Sequence, residues 1–220
     1  MHAWLKFAHL VGLVLMGAGL IGVWIADMRS RQARDLVVFA EAVRGVAVFY
    51  DGVVVPGALL LLASGTWLIV EYYGGWAFLG VPWLAGMVAL FAFEFVEGNT
   101  VTRAWFMRLR RLTGEALRVG RFTPELERAR AESAATFTHF LDLPILFVIV
   151  ALGALRPDTW KVFLLGTGLA VAVAAALTVW VPRLHRWEAG DAPFGTARVP
   201  HSDEAGPSRP APSADITPRP

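Results

Sequence analysis

The chain has 220 residues, of which 56% are apolar and only 17% charged, with a formal net charge of +2 and a mean hydropathy of +0.53. Soluble domains hold about 45–50% apolar and about 25% charged residues, so an ordinary soluble enzyme, a disordered protein and a disulfide-rich secreted module are excluded. The absence of cysteine removes disulfides, iron–sulfur clusters and thiolate metal sites. What remains is all-α: a polytopic membrane helix bundle. A span takes about 20 apolar residues, so five spans with their loops fill the chain.

The first apolar run, Ala3 to Ala26, is interrupted only by Lys6 and His9. It is too long for a signal-peptide core, and no A-x-A-like site precedes Asp27. It reads as an uncleaved first span over 3–26, with Arg29, Arg31 and Arg34 as the stop. Ala8/Gly12 and Ala18/Gly22 are small-xxx-small pairs, suited to close helix contact. Leu36, Phe39, Ala40 and Val43 then recur at helical spacing, which predicts an amphipathic helix lying in the interface over 31–45. The second span covers 46–70, with Pro56 in its first turns, and a turn follows over 71–75.

The third span covers 76–97, with Pro82 near its start and Glu94 and Glu97 at its far end. Residues 98–136 read as a basic, amphipathic loop. Within it, Thr123-Pro124-Glu125 is a helix start, expected to run on into the fourth span, 134–155. Arg156-Pro157-Asp158 is a turn, and the fifth span, 160–181, is expected to end at Pro182. Residues 1–187 thus form the transmembrane domain. Residues 188–220 hold seven prolines after position 192 and almost no large apolar residue, the composition of a disordered cytoplasmic tail.

Seventeen of the twenty Lys and Arg residues fall on one side of a five-span arrangement; only Lys6, Arg156 and Lys161 fall on the other. Positive charge stays in the cytoplasm. The expected topology therefore has the N-terminus outside and the C-terminus cytoplasmic, in a bacterial inner membrane. The same asymmetry accounts for the pI near 9.4 without nucleic acid. Nine Trp and three Tyr fit the aromatic belts of membrane proteins.

Ionisable groups within a span are costly and mark function by default. Asp27, Asp51, Glu94, Glu97, His139 and Asp142 come from four spans and fall at a similar depth, toward the cytoplasmic side. Glu94/Glu97 and His139/Asp142 are i,i+3 pairs, so each pair shares a helix face. Such a set could hold a hard or borderline divalent cation, or relay protons. The rival reading is that these groups snorkel to water, neutralised by Arg29, Arg44 or Arg103. His9 stands apart, in the outer half of the first span, one turn after Lys6. Counted from the span centres, His9 and His139 differ in depth by about 15–18 Å. One haem bridged by both is therefore not expected. His9 would ligate a haem with a non-His partner, or hydrogen-bond across the bundle. Phosphate-binding loops, the dinucleotide fingerprint, the nucleophile elbow and the zinc HExxH motif are all absent from the sequence. No inverted repeat relates its halves.

Several blocks carry a resemblance. Leu5-Lys6-Phe7-Ala8-His9-Leu10-Val11-Gly12 and the Arg-rich first loop are two of them. Phe49-Tyr50-Asp51-Gly52 through Pro56 and Gly65-Thr66-Trp67-Leu68 follow, then Phe93 through Thr100 and Thr138 through Pro144. Together they resemble the bacterial predicted integral membrane proteins of domain-of-unknown-function family 2269, over residues 3–182. That resemblance implies a multi-pass bundle and no activity. Lys6-x-x-His9-x-x-Gly12 also looks like the first helix of membrane-bound protoporphyrinogen oxidases, which place a haem-ligating His there. The later Arg- and His-containing block of those oxidases is not evident in this sequence.

Three readings follow. The first is a multi-pass inner-membrane protein with no assignable activity, for which the sequence leaves open whether it is an enzyme. The second is a redox subunit associated with haem b through His9 or His139. The third is a proton- or divalent-ion-conducting protein using Asp51, Glu94, Glu97, His139 and Asp142. The lipid bilayer is the implied partner and nucleic acid is not; a homo-oligomer or a larger membrane complex stays open.

Overall fold

The structure, a computed structural model, describes residues 2–184; the expected tail, 188–220, lies outside them. Every regular element among the described residues is helical. In chain order these are α1 (His2–Gln32), α2 (Leu36–Phe49), α3 (Val55–Tyr73), α4 (Pro82–Glu97), α5 (Arg103–Val119), α6 (Pro124–Arg130), α7 (Ser133–Leu155) and α8 (Lys161–Leu184). A π-turn over Tyr50–Val54 joins α2 to α3, and another over Gly98–Thr102 joins α4 to α5. Five helices are long and apolar enough to cross a membrane: Ala3–Gln32, Leu36–Tyr73, Pro82–Val119, Ser133–Leu155 and Lys161–Val181.

Two of the five differ most from the sequence reading. Leu36–Tyr73 and Pro82–Val119 are each continuous over 38 residues, or about 57 Å at about 1.5 Å per residue. A hydrocarbon core is about 30 Å thick, so each helix continues well beyond it at the basic end. The expected interfacial helix over 31–45 is instead the axial extension of the second span. Asp35 caps it by accepting from the backbone N–H groups of Val37 and Val38 at 2.8 and 3.0 Å. Its apolar stripe is real, but Leu36, Phe39 and Val43 are buried against protein, with α1 and α5 as neighbours. The expected loop over 98–136 is mostly helix for the same reason. Trp105, Phe106, Leu109, Leu112 and Ala116 form the buried face of α5, while Arg108, Arg110, Arg111 and Arg118 stay exposed.

Thr123 and Pro124 start a helix as expected; the Thr123 hydroxyl accepts from the Leu126 N–H at 3.3 Å. That helix does not run into the fourth span. It ends at Arg130, and α7 begins afresh at Ser133. The Arg130 guanidinium lies over the rings of Phe39 and Phe122, 4.2 and 4.8 Å from their centroids. Burial pushes it down to about 10, with Glu127 opposing the drop and Arg31 adding to it. Trp105 fastens the same short helix by donating to the Ala129 carbonyl at 3.0 Å.

The first span runs to Gln32 rather than stopping at Ala26, because Asp27 and Arg31 pair i,i+4 within the helix and are buried together. The fifth runs past the expected stop at Pro182 to Leu184.

α1 is the hub, packing on α2, α3 and α7; α7 in turn carries α4 and α8. The α1–α3 seam is close because of glycine. A Cβ on Gly57 would stand 2.6 Å from the Met16 backbone nitrogen, and one on Gly19 would stand 2.9 Å from the Val54 nitrogen. At the end opposite the arginines, Trp4, Trp67, Tyr72, Trp76 and Trp160 are all exposed, the position of an aromatic belt.

Candidate functional site

The two long helices both widen into π-turns, and the turns meet. The N–H of Val55 reaches the Tyr50 carbonyl and that of Arg103 the Gly98 carbonyl, five residues back in each case. Pro56 gives a reason for the first. Inside a regular helix its ring would clash with the carbonyl four residues earlier, and a wider turn relieves that clash. A Cβ on Gly98 would lie 2.8 Å from the Tyr50 hydroxyl, so only glycine lets the tyrosine seat there. Arg103 and Asp51 join the turns again at their half-exposed rim, 3.2 Å apart.

Behind the π-turns lies a buried polar cluster drawn from three spans. Asp27 and Arg31 of α1 pair at 2.8 Å, and Arg31 also donates to the Thr136 hydroxyl of α7 at 3.3 Å. His139 of α7 sits between two carboxylates. Its Nε2 is 3.6 Å from Asp27 Oδ2, and its Nδ1 is 3.8 Å from Asp142 Oδ2. The rings of Phe106 and Phe140 enclose it, with centroids 5.3 and 5.5 Å away. From α4, Glu97 accepts from the Thr102 hydroxyl at 2.8 Å, and Thr102 lies 3.4 Å from Thr138. Glu94 is 6% exposed, and neither carboxyl oxygen has a hydrogen-bond partner. Asp142 and Glu97 are its charged neighbours.

Each sequence candidate can now be placed. Glu94, Glu97, His139 and Asp142 come together in the core of the bundle. Asp51 does not join them: it is half-exposed and paired with Arg103 at the rim, the neutralisation that the rival reading anticipated for such acids. Asp27, noted from its depth, enters the centre of the cluster through His139. Arg31, Tyr50, Thr102 and Thr136 were not singled out. Arg31 could have been found from its i,i+4 spacing to Asp27; the two threonines and the tyrosine carry no comparable signal.

His9 is remote from all of this. Its Nδ1 is 3.0 Å from the Ser64 hydroxyl, whose own proton goes to the Leu60 carbonyl at 2.5 Å. Asp27 marks the level of His139 on α1, eighteen residues along from His9. That is about 27 Å of helix, more than the 15–18 Å counted from span centres, because the first span is longer than its apolar run. His139 presents both ring nitrogens to carboxylates and not to open space.

A cleft of about 70 Å³ reaches the cluster between the π-turns, lined by Met16, Tyr50, Phe91, Glu94, Asn99 and Asp142 among others. Among the described residues, no three His, Asp or Glu side chains are disposed to hold a metal ion.

No curated protein and no solved structure matches the chain. The family model described as "Predicted integral membrane protein (DUF2269)" matches residues 3–157, which reaches from α1 to the turn after α7 and leaves α8 beyond it. With well over half its length so matched, the chain belongs to the DUF2269 family of predicted integral membrane proteins.

Proposed function

We propose that this integral membrane protein is a proton carrier whose relay is the buried cluster of Asp27, His139, Asp142, Glu97 and Glu94. The observation that carries the reading is the placement of His139, fully buried with a carboxylate at each ring nitrogen, from two different helices. Imidazole is the side chain that exchanges a proton near neutral pH, and its two nitrogens let it take a proton on one side and release it on the other. Proton passage is favoured over a divalent cation because no three-ligand donor set is present among the described residues.

The orientation that goes with this reading has the N-terminus outside and the C-terminus in the cytoplasm of a bacterial inner membrane. The support is that Arg34, Arg44, Arg108, Arg110, Arg111, Arg118 and Arg128 are all exposed at one end of the bundle. The relay then opens toward the cytoplasm. It occupies the half of the bundle nearest the basic end, so the remaining barrier is apolar and flux should be slow. In liposomes holding a pH-sensitive dye under an imposed potential, the protein should acidify or alkalinise the lumen faster than empty vesicles. Glu94→Gln and His139→Ala should each lower that rate at least several-fold. Wild-type flux equal to that of empty vesicles would remove the proposal.

A second reading attaches to His9. Because the Ser64 proton goes to the Leu60 carbonyl, the Ser64 oxygen accepts from His9 Nδ1–H, and the Nε2 lone pair stays free. An anchored Nδ1–H with a free Nε2 is the arrangement of metal-ligating histidines, and haem b would be its ligand. Purified protein with no Soret band would remove this reading.

A further inference from the structure

The cleft between the π-turns leads to Glu94, a buried carboxyl group neither of whose oxygens has a hydrogen-bond partner. Its volume limits what it can hold. Sites for small organic molecules run to about 300–1,000 Å³, far above the 70 Å³ here. A water needs about 10–15 Å³ of such space, and about 30 Å³ at liquid density, so the cleft has room for about two to five. A water also needs two to four polar neighbours. Glu94, Asp142, Tyr50 and Asn99 all line the cleft, and Asn99 is exposed at the surface. Leaving both oxygens of Glu94 dry would strand a buried polar group without a hydrogen bond, which costs free energy. Water in the cleft removes that cost.

Resting on the relay reading above, we infer that this cleft is a hydrated port through which a proton from bulk water reaches Glu94, with Tyr50 as the wall that keeps it narrow. The ligand class is water and the hydrated proton. An ionised carboxylate buried without a donor is expensive, so Glu94 holds the arriving proton until the cluster behind it accepts it. The groups that face Glu94 fix where the proton goes. Asp142 on α7 is the first acceptor, with His139 and then Asp27 of α1 beyond it; Glu97 shares its helix; Tyr50 stands on the opposite π-turn. Arg103 is the nearby cation: its Nη2 pairs with Asp51 at the rim, while its buried Nε has no hydrogen-bond partner.

The test is infrared spectroscopy of the full chain in liposomes on exchange from H2O to D2O. A protonated-carboxyl band that is lost in Glu94→Gln should shift as fast as the medium is exchanged, while the amide band of the spans lags by minutes to hours. Should Glu94→Gln fail to accumulate, Glu94→Asp serves, because it moves the band instead of removing it. Narrowing the port with Ala58→Phe, at a cleft position outside the relay, should slow the shift. A band that shifts only with the slow amides means a dry cleft and overturns the port. The absence of any band assignable to Glu94 means it carries no proton and overturns it equally. Fast exchange in a protein that conducts nothing would keep the port and sink the relay. Slow exchange in a conducting protein would do the reverse.

Discussion

Asp27→Leu isolates the energetics of the cluster. The carboxylate is 2% exposed and pairs at 2.8 Å with Arg31, itself 6% exposed, whose guanidinium also donates to the Thr136 hydroxyl at 3.3 Å. Removing Asp27 leaves a guanidinium buried with one neutral acceptor. Breaking a buried pair in this way costs about 3–5 kcal/mol, whereas replacing both partners by apolar side chains is often neutral or stabilising. The double variant Asp27→Leu/Arg31→Met should therefore be more stable than either single variant. At about 2–4 °C per kcal/mol for a chain of this size, each single substitution should lower the melting temperature in detergent by about 6–20 °C. Glu41→Ala is the control, because its pair with Arg44 is 3.4 Å long and 67–73% exposed. Exposed pairs contribute about 0–1 kcal/mol, so the control should move by about 4 °C or less. Fluorescence or light-scattering melts of the four variants and the wild type read this directly. An Asp27→Leu shift no larger than the control, or a double variant equal to the sum of the singles, would refute a buried pair.

Gly57→Ala should destabilise by about 1–3 kcal/mol, as overpacking does, since its methyl would meet the Met16 backbone at 2.6 Å with no flexible side chain to yield; a melting temperature within 1–2 °C of wild type would show that α1 and α3 part easily. A reporter fused after Arg186 should read cytoplasmic and one inserted between Tyr73 and Trp76 periplasmic, and the reverse in both would overturn the orientation. A chain ending at Arg186 should keep its expression and melting temperature, because the Pro-rich, apolar-poor remainder has nothing to bury; a large loss of folded protein would show that it docks.

Helix class and span number were legible in the residues. Runs such as 3–26 and 160–181 are too apolar to be anything but spans, and a bilayer forces helical hydrogen bonding on them. The Thr123-Pro124 helix start was legible too, because capping is local chemistry between neighbours. Span ends were not. α1, α2 and α5 carry charge past the apolar core, and apolarity alone marks where lipid ends and not where the helix ends. Arg31 continues α1 because Asp27 and Thr136 receive it inside the bundle. α5 continues α4 because Trp105, Phe106 and Leu109 find a partner in α2. The depth of Glu94, Glu97, His139 and Asp142 followed from counting residues along spans, since rise per residue is constant. Which of them meet did not follow, because rotation about each helix axis is set by packing. Asp51, at the same depth, was turned outward to Arg103, while Asp27 was turned inward to His139. Sequence spacing determines height along a helix; only contact with the neighbouring helix determines the direction in which a charge faces.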